Sequence, residues 1–193
     1  MMKIRREKQY IPASGTPVVY MHATKTGGWT IRHMLEAAVQ CRSTDHLPLV
    51  AGEHEFIVIS VRNPYTRVYS LYYFSRLLRN CPFSKKLSFQ EFVENYPPEV
   101  PEEWTWPACG YVPVFKQLRK HKPNFIVRFE HIAEDMAELG RVLGVDMPMR
   151  HYNKDRRKRP PFTMDVYTPA MLTRINEYFH TDFVTFGYEK VLP

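Results

Sequence analysis

Residues 22–30 read HATKTGGWT, and several features of this stretch are suited to holding an anion. Gly27 and Gly28 let a backbone approach phosphate oxygens closely, and a helix opening at Trp29 offers free N–H groups and a positive dipole end. Lys25 adds a cation, and the hydroxyls of Thr26 and Thr30 can complete the cradle. The spelling is not that of the common nucleotide-triphosphate loop, G-x-x-x-x-G-K-[ST], in which the lysine follows the glycines. A second candidate is VRNPYTRVYS, residues 61–70. Arg62 stands at the tip of an apolar run, and Arg67 and Ser70, three apart, share a helix face. Arg62 and Ser70 could together grip a second phosphate. Each motif taken alone also fits plain structure: a strand-to-helix turn in the first, a solvated arginine and a helix-face serine in the second.

The strands and helices around these residues are legible in the pattern. VVYMH (18–22) reads as a short buried strand, followed after the glycine loop by a helix over WTIRHMLEAAV, with Ile31, Leu35 and Ala38 at helical spacing. QCRST (40–44) can return the chain as a short strand. EFIVISV (55–61) is a second buried strand, and TRVYSLYYFSRLL after it puts Val68, Leu71, Tyr72 and Leu78 on one helical face. Ser88 and Glu91 form a capping box for FQEFVENY. FIVRF (125–129) is a third strand, followed by the helix HIAEDMAELGRVL. Thr168 and Pro169, cap and first-turn proline, start the helix AMLTRINEYF. Residues 97–110 and 147–162 are irregular. Strands alternating with helices predict an α/β layered fold with a largely parallel sheet. In such sheets ligands bind outside the carboxyl ends of the strands. Both candidate loops leave strands at that pole, so they point at one anionic ligand.

The 193 residues, 44% hydrophobic and 24% charged, suit one domain over 1–193, with residues 1–16 a flexible or peripheral N-terminus. No run approaches the roughly 18–20 apolar residues that cross a bilayer, and the basic start MMKIRREKQYIPASG lacks the apolar stretch of a secretory signal. Cys41, Cys81 and Cys109 have no metal-ligand spacing and read as reduced thiols, so a cytoplasmic location is expected. The net charge of +7 favours anionic partners: a phosphorylated cofactor, an acidic glycan, nucleic acid or a membrane surface.

HATKTGGWTIRHML together with FIVISVRNPYTRVYSLYYF resembles the PAPS-dependent sulfotransferases, particularly the carbohydrate-sulfotransferase branch. The resemblance continues through IVRFEHIAEDM, HYNKDRR and YTPAMLTRINEYFHTDFVTFGY, in the family's order, from about Val18 to Tyr188. It implies a P-loop-like three-layer α/β fold. The donor would be 3′-phosphoadenosine 5′-phosphosulfate (PAPS), the product 3′-phosphoadenosine 5′-phosphate (PAP), and no metal is required. Carried over residue by residue, Lys25, Thr26, Gly27, Gly28 and Thr30 take the 5′-phosphosulfate, and Arg62 and Ser70 take the 3′-phosphate. Trp29 departs from the family's small hydroxyl residue; a phosphate contact is lost there, or the indole lies against the adenine. Arg157, in the basic run NKDRRKRP (153–160), is the candidate for a late loop closing over the cofactor. Read alone, that run is a solvated loop.

Sulfonyl transfer resembles loose phosphoryl transfer, in which positioning and charge stabilisation do most of the work. By the family's logic Lys25 stabilises charge on the bridging oxygen, and a histidine deprotonates the acceptor. The return strand would put His46 at the active pole, whereas His54 precedes EFIVISV at the far pole, roughly 20 Å away. His46 is therefore the candidate base, with Asp45 as an orienting or competing group. Glu130 reads as structural. Trp104, Trp106 and Tyr111 read equally as a sugar-binding wall or a hydrophobic plug under a long loop.

The function expected is transfer of a sulfonyl group from PAPS to a hydroxyl or amine of a carbohydrate or small glycosylated acceptor. The alternatives are an inactive PAP-binding relative, a nucleotide-dependent kinase, and a basic nucleic-acid-binding module, the last being the weaker reading of the charge. A kinase needs a magnesium-binding carboxylate by the loop and a lysine after the glycines. A nucleic-acid module predicts a steep salt dependence of binding.

Overall fold

The computed structural model describes residues 15–44, 50–76, 87–97, 111–118, 120–150 and 160–193. The chain is α/β, with a four-stranded, all-parallel sheet flanked by helices. The strands are β1 (Val18–Met21), β2 (Cys41–Ser43), β3 (Phe56–Val61) and β4 (Phe125–Arg128), in the spatial order β2-β1-β3-β4. β1 pairs with β3 from Val18↔Phe56 to Met21↔Ile59, and β3 pairs with β4 from Val58↔Phe125 to Val61↔Arg128. Helix α1 (Gly28–Ala38) joins β1 to β2 at one edge. The chain then returns past β1 to lay β3 on its other side, so the strand order reverses between β1 and β3.

The central strands β1 and β3 are buried at every position because helices cover both faces. This is why they read as unbroken apolar runs rather than alternating ones. Side chains on one face, including Val18, Tyr20, Phe56, Val58 and Val127, pack against Ile31, Met34 and Leu35 of α1. They also meet Met136, Leu139 and Val142 of α5 (Ile132–Leu143). On the other face Val19, Met21, Ile57, Ile59 and Val61 meet Val114 and Leu118 of α4 (Val114–Leu118) and Phe186 of α7 (His180–Phe186). A third, aromatic-rich cluster joins α2 (Pro64–Ser75), α3 (Phe89–Glu94) and α6 (Pro169–Tyr178) through Tyr65, Tyr72, Phe92, Ile175 and Phe179.

The Ser88 capping box and the Thr168 cap behave as their residue types predict. Ser88 Oγ accepts from Glu91 N, and the Glu91 carboxylate accepts from Ser88 N. Thr168 Oγ1 accepts from Met171 N with Pro169 in the first turn. Two boundaries differ from expectation. Helix α2 starts at Pro64 because Asn63 Oδ1 accepts from Tyr65 N at 3.0 Å and caps it. Of its expected apolar face, Val68, Leu71 and Tyr72 are buried, while Leu78 lies outside the described residues. Strand β4 ends at Arg128, since Phe129–His131 form a turn of 3₁₀ helix leading into α5. Helices α4 and α7 were not foreseen. The N-terminus of α4 is held by Asp182 on α7, whose carboxylate accepts from Val114 N and Phe115 N, both at 2.8 Å.

Candidate functional site

The loop leaving β1 runs from His22 to Gly27, where α1 begins. Gly27 is the N-cap, with φ 81°, in the left-handed region that a side chain disfavours, and no side chain caps the helix. The first N–H groups of a helix have no acceptor within it. Thr30 N reaches the Gly27 carbonyl at 3.1 Å, so the N–H groups of Gly28 and Trp29 are the ones helix geometry leaves over at this end.

The two glycines serve different purposes. A Cβ on Gly27 would meet Phe129 Cδ2 at 3.0 Å on top of the backbone strain. A Cβ on Gly28 would lie 1.7 Å from His22 Cδ2. The space that the missing side chain of Gly28 vacates therefore holds the His22 imidazole, rather than lying open for a ligand's approach. His22 is buried and stacks on Tyr20, ring centroids 5.9 Å apart.

Thr26 also differs from expectation. Its side chain points down into the core, where Oγ1 donates to the Ala23 carbonyl at 2.6 Å. With that proton committed, Ser60 Oγ donates to Thr26 Oγ1 at 2.5 Å, and Tyr20 O–H donates to Ser60 at 2.7 Å. The Thr26 hydroxyl thus ties the loop to β1 and β3 and has no proton left for an anion. Thr30 is buried as well. Trp29 is 49% exposed on the outer side of α1. Its carbonyl accepts from His33 Nδ1 at 2.8 Å, and the two rings lie 4.6 Å apart.

Lys25 sits in the left-handed region at φ 65°, the sole non-glycine residue there among the described residues. Such a backbone persists where its surroundings over-determine it. Here two arginines do so. Arg67 Nε donates to the Thr24 carbonyl at 3.0 Å, and Arg62 Nη1 donates to the Lys25 carbonyl at 3.2 Å. Arg62 also donates from Nε to Thr66 Oγ1 at 2.9 Å, and its guanidinium lies 4.0 Å above the Phe129 ring. The ammonium of Lys25 rests 4.3 Å from the centroid of Phe74, on α2.

Ser70 lies on α2, one turn before Phe74, and is 2% exposed. Arg67 is wholly buried and acts as a cross-link. Besides Thr24 it binds the Val112 carbonyl at 3.1 Å and lies 3.8 Å from Asp182. Burial holds the Asp182 carboxyl above the ordinary range, opposed by Arg67 and by the N–H groups of Phe115 and Val114.

Glu130 braces the exit of β3, in keeping with its structural reading. One carboxylate oxygen accepts from Asn63 N at 2.9 Å and the other from Tyr188 O–H at 2.9 Å. Cys41 is a free thiol, pushed up to about 12 by burial and then by Glu36, so it stays protonated at neutral pH.

The structure therefore brings Lys25, Gly27, Gly28 and Arg62 together where the strand order reverses, and it puts Ser70 on the helix that Lys25 touches. His46, Asp45, Arg157, Trp104 and Trp106 lie outside the described residues. Thr44, at the carboxyl end of β2, donates its N–H to the Tyr20 carbonyl at 3.0 Å. The roles of His22, Arg67 and Phe74 had no separate mark in the sequence: a histidine after a strand, an arginine within a helix and an aromatic in the run YYF are each common. Among the described residues no helix is long and apolar enough to cross a membrane. Comparison with protein-family models, with curated proteins and with solved structures gives no match.

Proposed function

We propose that this chain is a PAPS-dependent sulfotransferase of P-loop-like fold, acting on a hydroxyl or amine of a carbohydrate or small glycosylated acceptor. The observation that carries this reading is the direct contact between the two anion motifs. Arg62, from the exit of β3, donates to the backbone of Lys25, in the exit of β1, at the reversal point of a parallel sheet. That is where open α/β sheets bind their ligands. The donor set also fits a bis-anionic ligand: two cations, Lys25 and Arg62, and the N–H groups at the start of α1. Glu130, the carboxylate beside them, has both oxygens engaged by Asn63 and Tyr188.

PAPS supplies the sulfonyl group: the acceptor oxygen or nitrogen bonds to sulfur as the bond from sulfur to the bridging phosphate oxygen breaks. Lys25 carries the charge that matters at that oxygen, and its pinned backbone means little reorganisation is needed when the charge develops. Arg62 orients the other phosphate. His46 takes the acceptor's proton, a role resting on the resemblance. Thr26 and His22 hold the loop's shape from below.

Calorimetric titration with PAP, beside ATP and AMP, tests the reading. Binding of PAP in the micromolar range, much weaker for AMP, is expected, with Arg62→Ala erasing the difference between PAP and AMP. Lys25→Ala should abolish sulfonyl transfer from labelled PAPS. Equal affinity for all three nucleotides, or wild-type turnover without Lys25, would sink it.

A further inference from the structure

The side chain of Lys25 is defined at both ends. Its root is set by a left-handed backbone whose own carbonyl and the preceding one are held by Arg62 and Arg67. Its tip lies on the face of Phe74, 4.3 Å from the centroid, and Phe74 is half-buried in the last described turn of α2. An ammonium over a ring face is held by the ring quadrupole, more strongly as water is excluded. The hold is modest and non-directional compared with a charge-assisted hydrogen bond to a phosphate oxygen. Phe74 also lies four residues after Ser70, so the ring and the serine hydroxyl belong to the same face of α2.

We infer that Phe74 is the positioning residue for the Lys25 ammonium. It keeps the cation extended along the face of α2, and an anion entering the loop draws it off the ring. This inference rests on the proposed donor site. It adds a specific consequence: the lysine has two seats, and occupying the anionic one requires leaving the aromatic one. An apolar, non-aromatic residue at position 74 would preserve packing while removing the first seat, so PAP should bind about two- to fivefold more tightly to Phe74→Leu than to the wild type. Phe74→Tyr, which keeps the ring face, should behave like the wild type.

The experiment is carbon–proton correlation NMR of the uniformly labelled full chain, with the Lys25 ε-methylene signal assigned by its loss in Lys25→Gln. In wild-type protein and in Phe74→Tyr that signal should be displaced upfield by the ring current. In Phe74→Leu it should sit among the ordinary lysine signals. Saturating PAP, with binding followed calorimetrically on the same samples, should move the wild-type signal to the ordinary position. PAP binding with the upfield signal unmoved overturns the two-seat inference and leaves the donor reading standing. So does weaker PAP binding to Phe74→Leu, which would make the ring part of the bound arrangement. An undisplaced signal in ligand-free wild type overturns the inference at its first step. Absence of any PAP heat overturns the donor reading and this inference with it.

Discussion

Gly28 and His22 show how much a single missing carbon can decide. In most phosphate loops a glycine is explained by what approaches from outside. Here the imidazole of His22 occupies the space from within, 1.7 Å from where a Cβ on Gly28 would stand. Gly28 is in an ordinary helical first-turn position, so alanine there carries no left-handed strain. Its cost is the collision alone, and forced overpacking of this kind costs about 1–3 kcal/mol. Gly28→Ala is expected to lower stability by that order in urea denaturation. In a His22→Ala background the same change should become neutral or mildly stabilising, because alanine is the better helix former. Equal penalties in both backgrounds would show that the ring is not what requires the glycine. Gly27 offers the contrast: its φ of 81° makes alanine unfavourable whatever surrounds it.

At the scale of elements, Arg67 binds three segments at once: the β1 exit at Thr24, the segment before α4 at Val112, and α7 through Asp182. A charge so thoroughly buried is tolerated only with partners, and removing one member of such a pair is costly because the other is left uncompensated. Arg67→Met should therefore lose about 3–5 kcal/mol of unfolding free energy. Adding Asp182→Asn should recover part of that loss, since a neutral amide oxygen can still accept from the first N–H groups of α4 while no buried charge remains. A double variant no more stable than Arg67→Met would mean that the loss comes from the Thr24 and Val112 carbonyls instead. The arrangement also explains why α4 begins where it does. Its cap is an acidic residue some seventy positions later in the chain, not a neighbour in sequence.

For the whole molecule, the edge of the sheet is latched by Arg42 and Glu55. Arg42 Nε donates to Glu55 Oε1 at 2.7 Å and Nη2 to Oε2 at 2.5 Å. Nη2 also reaches the Val50 carbonyl, and Gly52 N donates to the same carboxylate at 2.6 Å. The hydrogen bonds from Arg42 hold the Glu55 carboxyl below its ordinary value, with the Gly52 N–H adding to them against desolvation. A carboxyl with a depressed folded value binds protons less readily folded than unfolded. Its contribution is complete above the unfolded value and is lost as pH falls through the folded one. Stability measured across the acid range just below ordinary glutamate titration should thus fall less steeply in Glu55→Gln than in the wild type. Arg42 is half exposed, so the variant should be less stable than the wild type at neutral pH by no more than about 1 kcal/mol, and equal to it in acid. An unchanged acid slope would remove Glu55 from the account.

Local pattern in the sequence carried two buried strands, a third strand and a short return strand, the helices α1, α2, α3, α5 and α6, the Ser88–Glu91 capping box, the Thr168 cap, and the joint direction of the two loops. These are local consequences of apolar spacing, cap chemistry and the alternation of strand and helix, so they can be read one window at a time. It also marked Lys25, Gly27, Gly28 and Arg62, because two strand exits at one pole of a parallel sheet, one with a lysine and paired glycines and one with an arginine, suit a single anion. The remaining features depend on residues far apart in the chain. The hydroxyl of Thr26 could have faced a ligand, until Ser60 and Tyr20 are seen beneath it. Helices α4 and α7 are too short for periodicity to reveal, and α4 is stabilised by a distant carboxylate. Phe74 acquires its part from a lysine forty-nine residues earlier, and that pairing exists because β1 and β3 are neighbours in a parallel sheet.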